Sequence, residues 1–353
     1  MKILAIDMGR SKSVACDYLA ETAEHSFVTM PTTPQAFHDL IVQKHPDVVV
    51  IEICPAAGWV KDLCDALAVR LVVANTSDEP WRWKKIKRKS DRDDSLKLAR
   101  LQAMRQISAV HVPGKSVRQW RMLIQYRQNL VADRSSMRNR IRGILDGVAI
   151  KLSSGAKAFT ESGVKQWRGE LGRELSQCGM EELWRGMVTT ELDRLEELEK
   201  HLEAVEEKLE QIARADERVK RLEQAPAVGR RTAELVVALL DQPRRFARGK
   251  QVGAYVGLTP RKHQSGEMDR DGRISRGGSG HMRALLVQAS WIGVRRGVPW
   301  MKGVYEQVRR GSEKRKKKAI VAVARRLVVR LWAMLRDGTQ WRDKEEPALA
   351  TVR

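Results

Sequence analysis

The stretch DVVVIEI, residues 47–53, constrains the fold of this chain more than any other. Side chains alternate across a strand, so a run that is apolar at nearly every position needs cover on both faces. That is the setting of an inner strand in a layered sheet. The flanking sequence agrees. KILAID (2–7) reads as a strand, KSVACDY (12–18) and SFVT (26–29) as the next two of a meander, and RLVVAN (70–75) as another short strand. PTTPQAFHDLIVQK (31–44) reads as a helix entered from a Thr-Pro turn, with Phe37, Leu40 and Ile41 on one face. AGWVKDLCDALA (57–68) places Val60, Leu63, Cys64 and Leu67 at helical spacing. Strands alternating with helices imply an α/β layer fold for this first segment.

Beyond residue 80 the character changes. Residues 81–105 begin as a basic loop and become a helix, and 116–147 read as a long basic helix. Its apolar face carries Trp120, Leu123, Ile124, Leu130, Met137, Ile141, Ile144 and Leu145. Residues 152–165, rich in Ser, Gly and Lys, read as a loop. Leu195, Leu198, Leu202, Val205, Leu209 and Ile212 follow 3-4-3-4-3 spacing, the pattern of a coiled coil or helical hairpin, here read as a spacer. QAPAVGRRTAELVVALL (224–240) resembles the turn of a helix-hairpin-helix module, where backbone amides and a helix N-terminus face a DNA phosphate. A Gly-rich basic loop region follows, then helices from 280 to 337.

Charge narrows the function. The chain of 353 residues carries a net charge of +22. Self-repulsion on that scale costs stability, and it points to a polyanionic partner. The charge is uneven: residues 1–80 hold 6 Lys/Arg against 11 Asp/Glu, and residues 81–150 hold 18 against 5. Trp81 and Trp83 lie among Lys84, Lys85, Lys87, Arg88 and Lys89, a pattern suited to contacting a nucleic-acid backbone while aromatic rings stack on bases. The basic amphipathic stretch 313–332 would also suit a membrane surface, but a packed nucleic-acid-binding domain explains it more simply. No apolar run is long enough to span a bilayer, and the start lacks the pattern of a secretory signal. Cys16, Cys54, Cys64 and Cys178 show neither a Cys-x-x-Cys pair nor zinc spacing, and are expected to be reduced, buried thiols. A cytoplasmic, nucleoid-associated protein is expected.

The carboxylates supply chemistry. Asp7 and Glu52 each close an apolar strand, and neighbouring strands would open both at one edge of the sheet, where α/β folds bind ligands. In KSDRDDSLKLARL, Asp91 and Asp94 are three apart and share a helix face, with Asp93 pointing elsewhere. Four clustered carboxylates repel one another unless a cation neutralises them. Oxygen-only donors select Mg²⁺, or Mn²⁺, over zinc. Two such ions would stabilise the attacking and leaving oxygens of phosphodiester cleavage. Each piece has an ordinary reading as a helix cap or a solvated turn. In this order the set matches an RNase H-like, Holliday-resolvase type of nuclease site. The Asp-x-Gly-x-Ser pattern also opens actin-like sugar kinases and ATPases, but no second Gly-rich lobe follows here.

These motifs, with APAVGRRTAELVVALL, QVGAYVGLTPRKHQSG, GRISRGGSGHMRALLVQA and KAIVAVARRLVVRLWAML, resemble the DEDD-type transposases of the insertion sequence one-hundred-ten family over nearly the whole chain. The resemblance implies a RuvC-like (RNase H-like) N-terminal domain, a coiled-coil spacer and a mostly α-helical C-terminal domain with a helix-hairpin-helix-like segment. The expected bounds are 1–160, 161–222 and 223–340, with a tail at 341–353. It implies an acidic tetrad of Asp7, Glu52, Asp91 and Asp94 that binds Mg²⁺. It also implies a nucleophilic Ser265, before the glycine of PRKHQSG, which forms a covalent protein–DNA intermediate. The partners it implies are donor and target DNA, a structured bridge RNA that pairs with both, and further copies of the chain as a dimer or dimer of dimers. Domains of different subunits would combine into one active site. Around Ser265, Arg261, Lys262, Arg270, Arg273, Arg276 and Arg283 are expected to contact nucleic acid, clamping phosphate oxygens. His263 is expected to be a solvated loop residue rather than a proton shuttle. Arg276 stands where the family often has Lys, Ser279 adds a second hydroxyl, and Ala-Val-Gly replaces the more usual Gly-Ile-Gly of the hairpin turn.

Two other readings compete. A protein-only, structure-selective endonuclease would need the carboxylates but not Ser265. A non-enzymatic nucleic-acid scaffold would explain the charge but leave the carboxylates without a role.

Overall fold

The computed structural model describes residues 1–75, 90–151, 157–265 and 268–342, without the side chains of 157, 161 and 263–271. The chain divides into two compact units, Met1–Gln119 and Trp120–Arg353.

The first unit contains β1 (Lys2–Met8), β2 (Lys12–Leu19), β3 (His25–Pro31), α1 (Pro34–Lys44), β4 (Val48–Glu52), α2 (Ala57–Ala66), β5 (Arg70–Ala74) and α3 (Asp91–Ala103). The sheet order is β3-β2-β1-β4-β5. β1 to β3 form an antiparallel meander, while β4 runs parallel to both β1 and β5. This mixed five-stranded α/β unit agrees with the RNase H-like expectation. α1 starts where Thr33 accepts a hydrogen bond from the Ala36 N–H at 3.3 Å and Pro34 occupies the first turn, whose amide would go unpaired in any case.

Both faces of the sheet are covered. Leu4, Ile6, Val49 and Ile51 pack against Phe37, Leu40 and Ile41 of α1 and Val60 and Cys64 of α2. Ile3, Ala5, Val48 and Val50 pack against Leu98, Ala99 and Leu101 of α3. Val48 to Ile51 are at most 2% exposed, so neither parity of β4 reaches water. That double cover is why the run shows no polar alternation. All four cysteines are free, but only Cys16 and Cys64 are buried, and burial pushes both thiols up to about 12. Cys54 and Cys178 are half-exposed, against the expectation for all four.

The long basic helix is α4 (Lys115–Gly147), which begins in the first unit and continues in the second. The second unit then holds α5 (Glu161–Leu171), α6 (Leu183–Ala215), α7 (Glu217–Glu223), α8 (Arg230–Leu240) and α9 (Gly249–Tyr255). A two-stranded hairpin follows, β6 (Pro260–Ser265) and β7 (Met268–Ile274), and then α10 (Gly280–Arg295), α11 (Pro299–Arg309) and α12 (Lys316–Asp337). Two expectations change here. α5 begins inside the stretch read as a loop, capped by Thr160, whose hydroxyl accepts from the Gly163 N–H. The Gly-rich region before 280 contains an antiparallel ladder instead of a loop.

The heptad leucines have an in-chain partner. Arg127 bonds Glu206 at 2.8 Å, Arg138 bonds Glu199 at 2.8 Å and Arg140 bonds Glu191 at 3.0 Å. One number rises as the other falls, so α4 and α6 run antiparallel. Leu198 and Leu202 pack on Leu130, and Leu192 and Leu195 pack on Ile141 and Leu145. Further along, Leu209 and Ala213 join the core built by α7, α8 and α12. The segment read as a spacer is therefore part of the second unit, and Leu195, Leu198, Leu202 and Leu209 of its apolar seam are buried within the chain. Among the described residues no helix is long and apolar enough to cross a membrane.

Candidate active site and nucleic-acid surface

Strand register sets the first site. Ile6 of β1 pairs with Ile51 of β4, so Asp7 and Glu52 are the next residues of two adjacent parallel strands, whose axes lie about 4.8 Å apart. Asp7 also faces Val14 of β2, and Glu52 faces Ala74 of β5. Counting by two from Ala5 and Val50 places both carboxylates on the face that α3 covers. Both are half-buried.

α3 brings the other two. Its buried stripe includes Asp94, Leu98 and Leu101, spaced four and three apart. Asp94 is 6% exposed, and Asp91, one turn earlier, is exposed. Asp93 has a different task. Ser90 accepts a hydrogen bond from the Asp93 N–H, and the Asp93 carboxylate accepts from the Ser90 amide and, at 2.6 Å, from its hydroxyl. This capping box holds the first turn, and the helix dipole favours all three aspartates there. The sequence motif DRDD thus splits into one structural carboxylate and two that continue the face of α3.

The arrangement places Asp7, Glu52 and Asp94 on the sheet–helix interface, with Asp91 at its edge. Among the described residues no three acidic, His or Cys side chains close around a common point as a finished metal cage. The donor chemistry nonetheless fits a hard divalent cation, because every available ligand is a carboxylate oxygen.

Ser265 closes β6 and pairs with Met268, the first residue of β7. It stands at a hairpin tip, which corrects the loop placement. Its side chain lies outside the described residues, as do those of His263 and Arg270, which face each other across the ladder. The strands read PRKHQS and MDRDGRI, with almost nothing apolar to bury. Arg261, Lys262, Arg273 and Arg276 are exposed. Arg261 donates to the Ser275 carbonyl at 3.3 Å.

The base of the hairpin is tightly built. Gly257 and Gly278 have φ of +74° and +65°, and a Cβ on either would lie about 2 Å from a backbone carbonyl, Gly277 O or Tyr255 O. Only glycine permits that approach. Arg283 then donates through Nη1 to the carbonyls of Gly277 at 2.5 Å, Val256 at 3.1 Å and Gly278 at 3.3 Å. This guanidinium joins the chain entering the hairpin to the chain leaving it, a positioning role that the sequence reading missed. The Gly-Gly pair before a basic helix start, in SRGGSGHMR, was the available signal. Ser279, read as a spare hydroxyl near DNA, caps α10 by accepting from the Met282 N–H at 3.2 Å.

The turn between α7 and α8 places Ala227 at φ +63° where the usual motif has glycine, and Gly229 caps α8 without a side-chain bond. Trp83, Lys84, Lys85, Lys87, Arg88 and Lys89 lie outside the described residues.

Comparison with known proteins agrees with both regions. A family model described as "Transposase", of the DEDD IS110 type, matches residues 4–150. A second, described as "Transposase IS116/IS110/IS902 family", matches residues 219–306. The transposase y4pF/y4sB of Sinorhizobium fredii is 26% identical across 98% of this chain and 88% of its own length. The transposase for insertion sequence element IS1111A of Coxiella burnetii is 30% identical across 70% of this chain and 66% of its own. The pilin gene-inverting protein of Moraxella lacunata is 29% identical over 115 residues, 32% of this chain and 35% of that protein. The first family model spans the strands and helix that carry Asp7, Glu52, Asp91 and Asp94, the second spans the Ser265 hairpin and its clamp, and the chain belongs to the IS110-type family of DEDD transposases.

Proposed function

We propose that this chain excises and inserts its own mobile element by breaking and rejoining DNA through a covalent Ser265–phosphate intermediate. Asp7, Glu52, Asp91 and Asp94 would hold Mg²⁺, or Mn²⁺, and a structured bridge RNA from the element would choose the donor and target sites. The observation that carries this reading is the register that sets Asp7 beside Glu52 on the face covered by the Asp94 helix. When bound, the divalent cation supplies charge neutralisation at the scissile phosphate.

The remaining chemistry belongs to the chain. The Ser265 oxygen forms a bond to phosphorus as the ester bond to one deoxyribose breaks. The serine proton goes to a base and the departing oxygen takes up a proton. Attack by a hydroxyl end from another strand reverses the sequence, so the phosphodiester energy is kept and no ATP is needed. Exposed Arg261, Lys262, Arg273 and Arg276 hold phosphate oxygens near the serine. A gene-inverting relative supports rejoining over simple hydrolysis, because inversion requires both ends to be resealed.

The test is strand exchange on paired donor and target DNA, with denaturing gels to trap adducts. Asp7→Asn and Ser265→Ala should each lower exchange at least about 10³-fold (about 4 kcal/mol in the barrier). The adduct should vanish in Ser265→Ala. Cleavage that survives Ser265→Ala without an adduct would favour the resolvase-like endonuclease. Sequencing RNA that co-purifies with the protein should find one discrete species from the element's flank.

A further inference from the structure

A cleft of about 460 Å³ opens between α9 and α12 in the second unit. Its described lining carries Lys250, Arg325, Arg326 and Arg330, with Thr259 and Val329, and no carboxylate. Lys250 and Arg325 are exposed and make no ion pair among the described residues. Arg326 and Arg330 are four apart on one helix face.

The cleft is built to hold these groups. A Cβ at Gly249 would lie 2.7 Å from Val329 Cγ1, so the missing side chain lets α9 close on α12. Four residues on, a Cβ at Gly253 would press on Arg325 Cγ at 3.3 Å, and the bare glycine leaves room for that stem. The Arg330 guanidinium stacks 4.2 Å from the Trp300 ring centre and 5.5 Å from that of Trp341, which fixes its plane. A stacked guanidinium with further arginines, a lysine and a hydroxyl beside it matches tetrahedral phosphate oxygens, with Arg supplying paired donors and Lys a point charge.

We infer that this cleft seats the phosphodiester backbone of a bound nucleic acid. On the reading of Ser265 as nucleophile, the seat lies at a defined reach from the chemistry. Thr259 in the cleft immediately precedes β6, and the six residues from there to Ser265 span about 20 Å along the strand. That length corresponds to about six phosphate steps of a duplex. The cleft would then hold backbone at a distance from the cut, fixing register while the hairpin tip reaches the scissile phosphate.

The experiment measures salt dependence of binding for a labelled element-end DNA duplex and for a labelled single-stranded RNA, all in the Ser265→Ala background so that no adduct forms. Lys250→Gln with Arg325→Gln should flatten the slope of log affinity against log salt by about 1.8 on duplex DNA, or about 1.4 on single-stranded RNA. A change with DNA alone assigns the seat to donor or target, and a change with RNA alone assigns it to the guide. Unchanged slopes with both overturn the inference. Independently of any variant, Lys250 in the unaltered chain should be protected from amine acetylation when nucleic acid is bound. Undiminished reactivity would likewise overturn it. Neither readout depends on the Ser265 adduct, so failure of the covalent reading and failure of the cleft are seen separately.

Discussion

The protein contains two kinds of sheet, and they are stabilised in opposite ways. The inner strands of the five-stranded sheet are apolar on both faces, with Leu4, Ile6, Val49 and Ile51 covered on one side and Ile3, Ala5, Val48 and Val50 on the other. The β6–β7 hairpin has charged and polar residues at most positions and only two strands. Isolated two-stranded ribbons are marginal in water. The first sheet presents Asp7 and Glu52 from a rigid platform. The second carries Ser265 on a ribbon whose order depends on its base: Gly257, Gly278 and the Arg283 guanidinium. On the proposed reading, a cation-binding carboxylate set benefits from the first. A nucleophile that must engage and release a DNA end is compatible with the second.

Four measurements would break or sharpen that contrast. The largest effect is expected in the platform. Phe37 is fully buried and meets Trp59 edge-on at 5.0 Å, so Phe37→Ala should lower global stability by about 3–5 kcal/mol, read by denaturant unfolding. Stability falling by under about 1 kcal/mol would mean that α1 is not integral to the sheet. In the hairpin the effect should be local. Gly278→Ala forces a side chain into a left-handed position against the Tyr255 carbonyl, at about 1–2 kcal/mol for the backbone alone. Amides in 260–274 should lose exchange protection while those of β1 and β4 keep theirs, and strand exchange should drop.

Arg283→Gln should act in the same place, more weakly. It removes one of several restraints, so exchange protection at 260–274 should fall by roughly tenfold, about 1.4 kcal/mol, with the global unfolding midpoint unchanged. A purely DNA-contacting arginine would leave that protection unmoved. The smallest effect concerns pH. Burial, and then the Arg127 guanidinium, hold His281 below its ordinary pKa. The folded state therefore prefers the neutral ring, and its contribution is complete above about pH 6.5. As pH falls below that value the unfolded chain takes up the proton first, so stability declines. His281→Gln should reduce the stability difference between neutral and mildly acidic buffer.

The same contrast explains what could be read in advance. The strands of the central sheet and the helices α1, α2 and α3 were visible because apolar periodicity and caps such as Thr33-Pro34 are local signals. In sequence the hairpin reads as a loop because HQSGEMDRDG has no apolar alternation, and its order comes from contacts with residues before 258 and after 276. The heptads of α6 were visible as a pattern, but a seam says only that some helix must cover it. Arg127, Arg138 and Arg140 identify that helix as α4, dozens of residues away.

Sequence by itself determined the strand and helix order of the first unit, the excess of positive charge and the carboxylates at Asp7, Glu52, Asp91 and Asp94. These follow from spacing, side-chain chemistry and position within a run. Tertiary structure alone decided which partner each surface meets. It sent Asp93 to a cap and Asp94 to the sheet face, turned Arg283 from a surface cation into a backbone clamp, and gathered Lys250 with Arg325 and Arg330 across two helices. Such choices depend on which backbones lie within a few ångströms after folding, and no local stretch of chain contains that distance.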